Sequence, residues 1–212
     1  INTGCYDTTT LELIVEQAPI ANIPTPLEYC DPDSDGFGVF DLVSKDIEIT
    51  GGDPSLSVSY HETLADADND VNALTSPYNN IVEDQQTVYV RVESSTIATD
   101  CATIVELLLI VNPTPQLGSG PTPLEICDDL SADGFGQFDL TIKEPEILQN
   151  LADPTLYTVT YYETEVNADT PANQIANPAN YTNTTAFNQI LWIRVTDTAT
   201  GCYKLTNLEL IV

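Results

Sequence analysis

The sequence predicts an all-β protein built from tandem immunoglobulin-like antiparallel β-sandwich repeats. Three observations carry this prediction. Apolar and polar residues alternate with a period of two, which is typical of strands. Whole motifs recur about a hundred residues apart, which suits one compact domain per repeat. Hydrophobic residues make up 42% of the 212, enough for folded domains of this size.

The repeat is clearest where it closes. Cys5, Cys101 and Cys202 are each followed, six residues later, by a leucine-rich run of five apolar or acidic residues. We therefore predict that residues 1–19 are the closing strand of a preceding repeat plus a linker, that residues 20–117 form one repeat, and that residues 118–212 form the next. Proline-rich segments at 18–26 and 112–123 predict semi-stiff, extended joints.

Strands follow from the alternation within each repeat. Val88, Val90 and Val92 share one face of a predicted strand, and their counterparts share the equivalent face: Leu191, Ile193 and Val195. Six or seven such short strands in about 95 residues indicate an immunoglobulin-like sandwich. Segments 44–49 and 65–70 are predicted to form single helical turns, and nothing predicts a long helix.

An acidic loop opens each repeat. Residues 30–42 read CDPDSDGFGVFDL, and residues 127–140 read CDDLSADGFGQFDL. The pattern D-x-[DNS]-x-D-G places alternate carboxylate or hydroxyl oxygens around one Ca²⁺, and the glycine permits the sharp turn. The predicted calcium ligands, including an aspartate that follows each loop, are Asp31, Asp33, Asp35 and Asp41, and then Asp129, Ser131, Asp133 and Asp139. The alternative is an ordinary Asp/Gly turn without metal.

Five cysteines leave one unpaired whether they bond within repeats or across linkers. The closing strand runs away from its cysteine for about ten residues, or roughly 33 Å, which would put Cys101 and Cys127 beyond disulfide reach. We therefore predict two disulfides within repeats, Cys30–Cys101 and Cys127–Cys202, with Cys5 left over. Thiolate metal sites are disfavoured because no C-x-x-C occurs.

The charge limits the partners. Thirty-three acidic residues against five lysines and arginines give a formal charge of −28, which repels nucleic acid and anionic membranes. No apolar run approaches the roughly 20 residues that cross a bilayer. Four of the five cations match between repeats and predict structural charge pairing: Lys45 with Lys143 and Arg91 with Arg194. His61 is the only histidine, and a tyrosine replaces it in the second repeat, so we expect no catalytic role for it.

The assembled motif C-D-x-x-x-D-G-F-x-x-F-D-L, then Y-x-E-T, Y/W-[VI]-R-V and G-C-Y-x-x-x-x-L-E-L-I-V resembles a known repeat. It is similar to the tandem repeats of giant cell-surface adhesins of gliding Bacteroidota, the SprB-like gliding motility adhesins. Asp100 and Leu108 depart from the pattern. The resemblance implies type IX secretion, display at the cell surface, and roles in adhesion and gliding.

The resulting hypothesis is a non-enzymatic, Ca²⁺-stabilised extracellular repeat in the stalk of a long adhesin. Its expected partners are neighbouring repeats of the same chain, with surface polysaccharide or a solid surface as the target. One alternative is a carbohydrate-binding module with Tyr89 and Trp192 as an aromatic platform. Another is an appendage domain of a secreted enzyme.

Overall fold

The computed structural model describes residues 4–13, 15–96 and 101–212, and it confirms tandem immunoglobulin-like β-sandwich repeats. The chain divides into two compact units. One contains residues up to 27 together with 39–80 and 85–110, and the other contains 28–38, 81–84 and 111–212. The acidic loop of the first repeat therefore belongs to the unit that holds the whole second repeat.

In the first repeat, residues 20–96 and 101–117 contain six strands, two α-helical turns and one 3₁₀ turn. Its strands are β1 Leu27–Asp31, β2 Val39–Phe40, β3 Leu56–His61, β4 Tyr78–Asn79, β5 Gln85–Ser94 and β6 Ala102–Pro113. Its helical segments are the 3₁₀ turn Leu42–Lys45, α1 Asp46–Thr50 and α2 Leu64–Asp68. The helical turns predicted from the sequence are confirmed.

The second repeat follows the same order. Its strands are β7 Leu124–Glu125, β8 Gln137–Phe138, β9 Tyr157–Tyr162, β10 Tyr181–Thr182, β11 Asn188–Asp197 and β12 Tyr203–Ile211. Its α-helices are α3 Glu144–Ile147 and α4 Glu165–Asp169, and its 3₁₀ turns are Leu140–Lys143, Pro154–Leu156 and Pro178–Asn180. No helix among the described residues has the length or apolar character to cross a bilayer.

Each repeat pairs a four-stranded sheet with a two-stranded one. The larger sheets run β1-β6-β5-β3 and β7-β12-β11-β9, and the smaller ones pair β2 with β4 and β8 with β10. The long central strands pair antiparallel, with Leu191 opposite Leu208. The opening strand of the second repeat, β7, pairs parallel to the end of β12, with Leu124 opposite Leu210.

The core of the second repeat lies between its two sheets and is closed by the short helices. Strand β11 contributes Leu191, Ile193 and Val195, each fully buried, as the alternation predicts. The other core residues come from both sheets and from the helical turns: Phe138, Leu140, Ile147, Leu151, Tyr161, Tyr181, Leu208 and Leu210. In the first repeat Val88, Val90 and Val92 are equally buried.

The repeat-matched cations make structural contacts, and the predicted charge pairing is confirmed for both lysines. Lys45 Nζ lies 2.9 Å from Glu48, and Lys143 Nζ lies 3.1 Å from Glu146. Each arginine caps the C-terminal end of a short helix, where unpaired carbonyls attract positive charge. Arg91 donates to the carbonyl of Ala67 at the end of α2, and its counterpart Arg194 does the same at the end of α4.

The N-terminal residues 4–13 and 15–26 contain no strand. Leu11, Leu13 and Val15 are more than four-fifths exposed, unlike the matching leucines of β6 and β12. Those two strands each pair with a long strand that precedes them in their own repeat.

We expect Leu191→Ala to lower the free energy of unfolding by about 2–5 kcal/mol, because it leaves a cavity in a closed core. The control is Ile190→Ala, the next residue on the same strand, which is 53% exposed and should change stability little. Urea unfolding of both variants measures the difference. Equal losses would contradict the assigned faces of β11.

Candidate functional site

The acidic loop of the first repeat is shaped around one buried carboxylate. Asp31 is 1% exposed. Its Oδ1 accepts hydrogen bonds from the amides of Asp33 and Ser34, at 3.1 and 2.9 Å, and its Oδ2 accepts one from the Gly36 amide at 2.9 Å. Burial by itself would raise the pKa of Asp31, but these hydrogen bonds outweigh it and hold the pKa below its usual value.

Two glycines let the loop fold back. Gly36 has a φ of +80°, in the left-handed region that favours glycine. Gly38 is required for a different reason, because a Cβ there would lie 2.4 Å from the ring of Tyr29, the residue before Cys30. Gly136 is packed against Ile126 in the same way. The second glycine of D-G-F-G therefore lets the loop lie against the residue that precedes the cysteine.

Three carboxylates of this loop lie together. Asp31, Asp33 and Asp35 each offer an oxygen within 4.8 Å of the others, and they are the sole group of three acidic, thiol or imidazole side chains this close in residues 4–13, 15–96 and 101–212. A hydrogen bond shared with the Asp31 carboxylate, together with repulsion from Asp35, raises the pKa of Asp33. The arrangement favours either a proton or a bound cation between these groups.

The second loop contains one more residue, and this changes which aspartate accepts the hydrogen bond from the glycine amide. Asp128 Oδ2 accepts from the Gly134 amide at 2.8 Å, as Asp31 does from Gly36. Asp129 is instead exposed and accepts from the amide and hydroxyl of Ser131. The structural counterpart of Asp31 is therefore Asp128, whereas the sequence spacing pointed to Asp129.

Asp133 Oδ1 accepts from the Phe135 amide at 3.1 Å, and the two predicted ligands that follow the loops each precede a 3₁₀ turn. Asp41 precedes the 3₁₀ turn of the first repeat, and its Oδ1 accepts from the Ser76 hydroxyl at 2.8 Å. Asp139 precedes the equivalent turn, and its Oδ1 accepts from the amide and hydroxyl of Thr141. Neither carboxylate belongs to the group of three in the first loop.

The single disulfide among the described residues joins the two repeats. Cys30, next to the acidic loop of the first repeat, bonds to Cys202, at the start of the closing strand of the second, with a Cα–Cα distance of 5.4 Å. The predicted pairs Cys30–Cys101 and Cys127–Cys202 are therefore wrong. Cys127 is exposed and has no disulfide partner among the described residues.

The parallel pairing of the opening strand explains the error. Leu124 lies opposite Leu210, and the Ile126 amide donates to Ile211. Cys202 is eight residues before Leu210, and Cys127 is three residues after Leu124, so the two are roughly 36 Å apart at about 3.3 Å per residue. The opening strand lies beside the end of the closing strand and not beside its beginning, so the two cysteines of the second repeat are far apart.

Contacts around the disulfide hold the acidic loop in its unit. The Thr114 amide donates to the Asp31 carbonyl at 3.0 Å, and Gln116 Nε2 donates to Ser34 Oγ at 2.8 Å. Lys204, two residues after Cys202, reaches the Pro32 carbonyl at 3.5 Å. The Thr114 hydroxyl is buried, and it has no hydrogen-bond partner in the part of the chain that the structure describes.

His61 has a structural role. It is fully buried, and its Nδ1 and Nε2 lie 2.8 Å from the Val71 carbonyl and 2.9 Å from the Ser59 hydroxyl. Tyr162 is buried at the equivalent place in the second repeat.

We expect mass spectrometry of a non-reducing digest to find a peptide that joins Cys30 to Cys202. In the chain-entropy model, reduction of this bond removes up to about 5 kcal/mol from the free energy of unfolding, because the closed loop spans 172 residues.

The Cys202→Ala variant should release a reactive Cys30 thiol, whereas the Cys127→Ala control should leave the cross-linked peptide intact. A peptide joining Cys30 to Cys101 would restore the within-repeat pairing and contradict the structure.

Comparison with solved structures finds distant likenesses. A SusE-like, surface-located polysaccharide-binding protein from the heparin utilisation locus of Bacteroides thetaiotaomicron is 10% identical, with 90% of this chain and 34% of that chain covered and a TM-score of 0.33. The present chain thus spans about a third of its length. At this score the likeness carries no argument about function.

Two further structures are comparably distant. A two-domain fragment of human mucin-like protocadherin is 12% identical, with 91% and 96% coverage and a TM-score of 0.28. A three-immunoglobulin-domain fragment of titin is 11% identical, with 90% and 63% coverage and a TM-score of 0.26. No curated protein matches the chain.

A family model gives a specific match. The model for the Flavobacterium inter-domain disulphide bond domain matches residues 26–115 and again residues 123–212. Each match begins next to an opening strand and ends after a closing strand, and the disulfide seen here joins one match to the other. The chain belongs to the Flavobacterium inter-domain disulphide bond domain family, of which it carries two tandem copies.

Proposed function

We propose that this chain is a non-enzymatic, Ca²⁺-stabilised extracellular repeat that forms part of the stalk of a long cell-surface adhesin. On this proposal the parent protein is SprB-like, leaves the cell through the type IX secretion system, and serves surface adhesion and gliding motility. The observation that carries the proposal is the covalent bond from one repeat to the next, Cys30–Cys202.

A disulfide between successive domains serves a mechanical role better than a chemical one. The two repeats are already joined by the proline-containing linker at 112–123, and the disulfide is a second covalent connection between them. The repeats therefore stay joined at both places when either one unfolds. Disulfides persist in oxidising, extracytoplasmic surroundings, which supports display outside the cell. The −28 charge supports the same location, because it keeps a long surface protein soluble and apart from anionic lipid.

The chemically versatile side chains are engaged in structure. His61 is buried between Ser59 and Val71, and Arg91 and Lys45 are held by carboxylates or carbonyls of their own repeat. These contacts recur at equivalent positions of the second repeat for both Arg194 and Lys143. Because the same contacts recur in both repeats, they support a structural role for these residues in a tandem-repeat protein.

The calcium part of the proposal rests on the donor set of the first loop. Ca²⁺ binds oxygen at about 2.3–2.6 Å, so two ligands on opposite sides of one ion lie about 5 Å apart. Asp31, Asp33 and Asp35 offer three carboxylate oxygens within 4.8 Å of one another, which fits one such ion. The buried Thr114 hydroxyl near this loop is a further oxygen that a cation or its water would satisfy.

The proposed ligands are those predicted from the sequence. They are Asp31, Asp33 and Asp35 in the first loop, with Asp129, Ser131 and Asp133 in the second and a contribution from Asp41 and Asp139. The second loop needs a rearrangement to bind, because Asp129 is committed to Ser131 and Asp128 is the carboxylate that the Gly134 amide holds. We therefore expect the first loop to bind more tightly.

We expect 10 mM Ca²⁺ to raise the melting temperature, because an ion that binds only the folded state stabilises it by mass action. With a dissociation constant of about 10⁻⁴–10⁻³ M, as in other extracellular modules, the gain is about 1.4–2.7 kcal/mol. Differential scanning calorimetry in chelator and in calcium measures it.

The Asp33→Asn variant sharpens the test. In chelator it should melt no lower than the parent, because it removes a carboxyl crowded by Asp31 and Asp35. In calcium it should lose most of the gain. Asp68→Asn, an exposed acid outside both loops, changes the net charge equally and should keep the full gain. Equal melting of the parent protein in both buffers would contradict the site.

Surface display is tested in the source bacterium. Antibodies against the folded chain should label intact cells, and the label should disappear in a mutant that lacks the type IX secretion machinery. Antibody-coated beads should also be carried along gliding cells if the parent protein is a gliding adhesin. Label that appears only after the cells are broken would contradict the proposal.

The carbohydrate-binding alternative has weaker support. Tyr89 and Trp192 are half-buried on their strands, and the guanidinium of Arg194 stacks on Tyr203, 3.3 Å from the ring centre, instead of flanking an open tryptophan platform. A glycan array probed in millimolar calcium distinguishes a sugar-binding module from a stalk repeat.

A further inference from the structure

The closing strand of the second repeat begins at one half of the disulfide. Cys202 is followed directly by β12, which stays extended from Tyr203 to Ile211. A strand rises about 3.3 Å per residue, whereas a fully stretched chain reaches at most about 3.6 Å. Tension applied along β12 therefore lengthens it very little, and the strand does not have to leave its sheet to carry that tension.

The chain that leads to the other half of the disulfide is also extended. Cys30 lies in β1, which runs from Leu27 to Asp31. The preceding residues 18–26 read APIANIPTP, and prolines at this density favour an extended, semi-stiff segment. Here too the polypeptide has little slack for a pulling force to take up.

The Cys30–Cys202 bond connects these two extended stretches directly. A covalent path runs along residues 18–30, crosses the two sulfur atoms, and continues along β12. Residues 31–201 form a closed loop beside this path. That loop includes β2 to β11, both two-stranded sheets and most of both cores.

We propose that tension along the protein travels this short path, so that the folded sandwiches are shielded from load. Without the bond, the same force would pass through every residue between 31 and 201. The force would then reach Cys202 through β11 and through the turn that joins β11 to β12. It would separate these two antiparallel strands from each other. This inference is independent of what the protein adheres to and of whether the acidic loop binds calcium.

The experiment is single-molecule stretching of the oxidised 212-residue chain, held by its two ends. We expect extension only from the 29 residues before Cys30 and the ten after Cys202. The Cys202→Ala variant should unfold stepwise and release the 172-residue separation as roughly 600 Å of additional contour length. The Cys127→Ala control should behave like the parent chain.

A second attachment point keeps the test informative if the Cys202→Ala variant folds poorly. When the oxidised parent chain is held at its N-terminus and at Gln174, an exposed residue inside the closed loop, unfolding steps should return despite the intact bond. Long unfolding steps in the end-held oxidised chain, or their absence when the chain is held at Gln174, would overturn the proposal.

Discussion

A short parallel pairing determines much of this molecule. The opening strand of the second repeat lies beside the last residues of its closing strand, with Leu124 opposite Leu210, and β1 neighbours β6 in the same strand order. This register separates the two cysteines of one repeat by most of the length of a strand, far beyond the reach of a disulfide. Cysteine pairing is thereby directed from one repeat to another, as Cys30 and Cys202 show.

Hydrogen bonds in the acidic loop of the first repeat fix the position of the residue next to Cys30. Asp31 follows Cys30 immediately, and its buried carboxylate collects three backbone amides while its carbonyl accepts the Thr114 amide. The loop is thus fixed by hydrogen bonds to the side chain and to the carbonyl of the residue that follows the cysteine. Loss of the Asp31 carboxylate would remove the acceptor of the buried Gly36 hydrogen bond. An unsatisfied buried donor costs about 1–3 kcal/mol.

Much of the fold was predictable because it follows from local periodicity. The alternation of Val88, Val90 and Val92 fixes a buried face without knowledge of any partner strand. The cysteine pairing was not predictable in this way, because it depends on which part of the closing strand a two-residue strand pairs with. The role of Asp128 in the second loop was also not predicted. One inserted residue changes the spacing between the aspartates and the glycine, but the hydrogen bond from the Gly134 amide still goes to the aspartate that follows the cysteine.

The distance along the chain between the bonded cysteines has a consequence for the order of folding. The polypeptide is synthesised from its N-terminus, so Cys101 and Cys127 are both present before Cys202. The two incorrect partners of Cys30 are therefore available before the correct one. A first repeat that folds early holds Cys30 beside the end of its closing strand, away from Cys101 at the beginning of it. Rapid folding of the first repeat therefore prevents a bond between Cys30 and Cys101. The correct bond can form only after the closing strand of the next repeat has been synthesised.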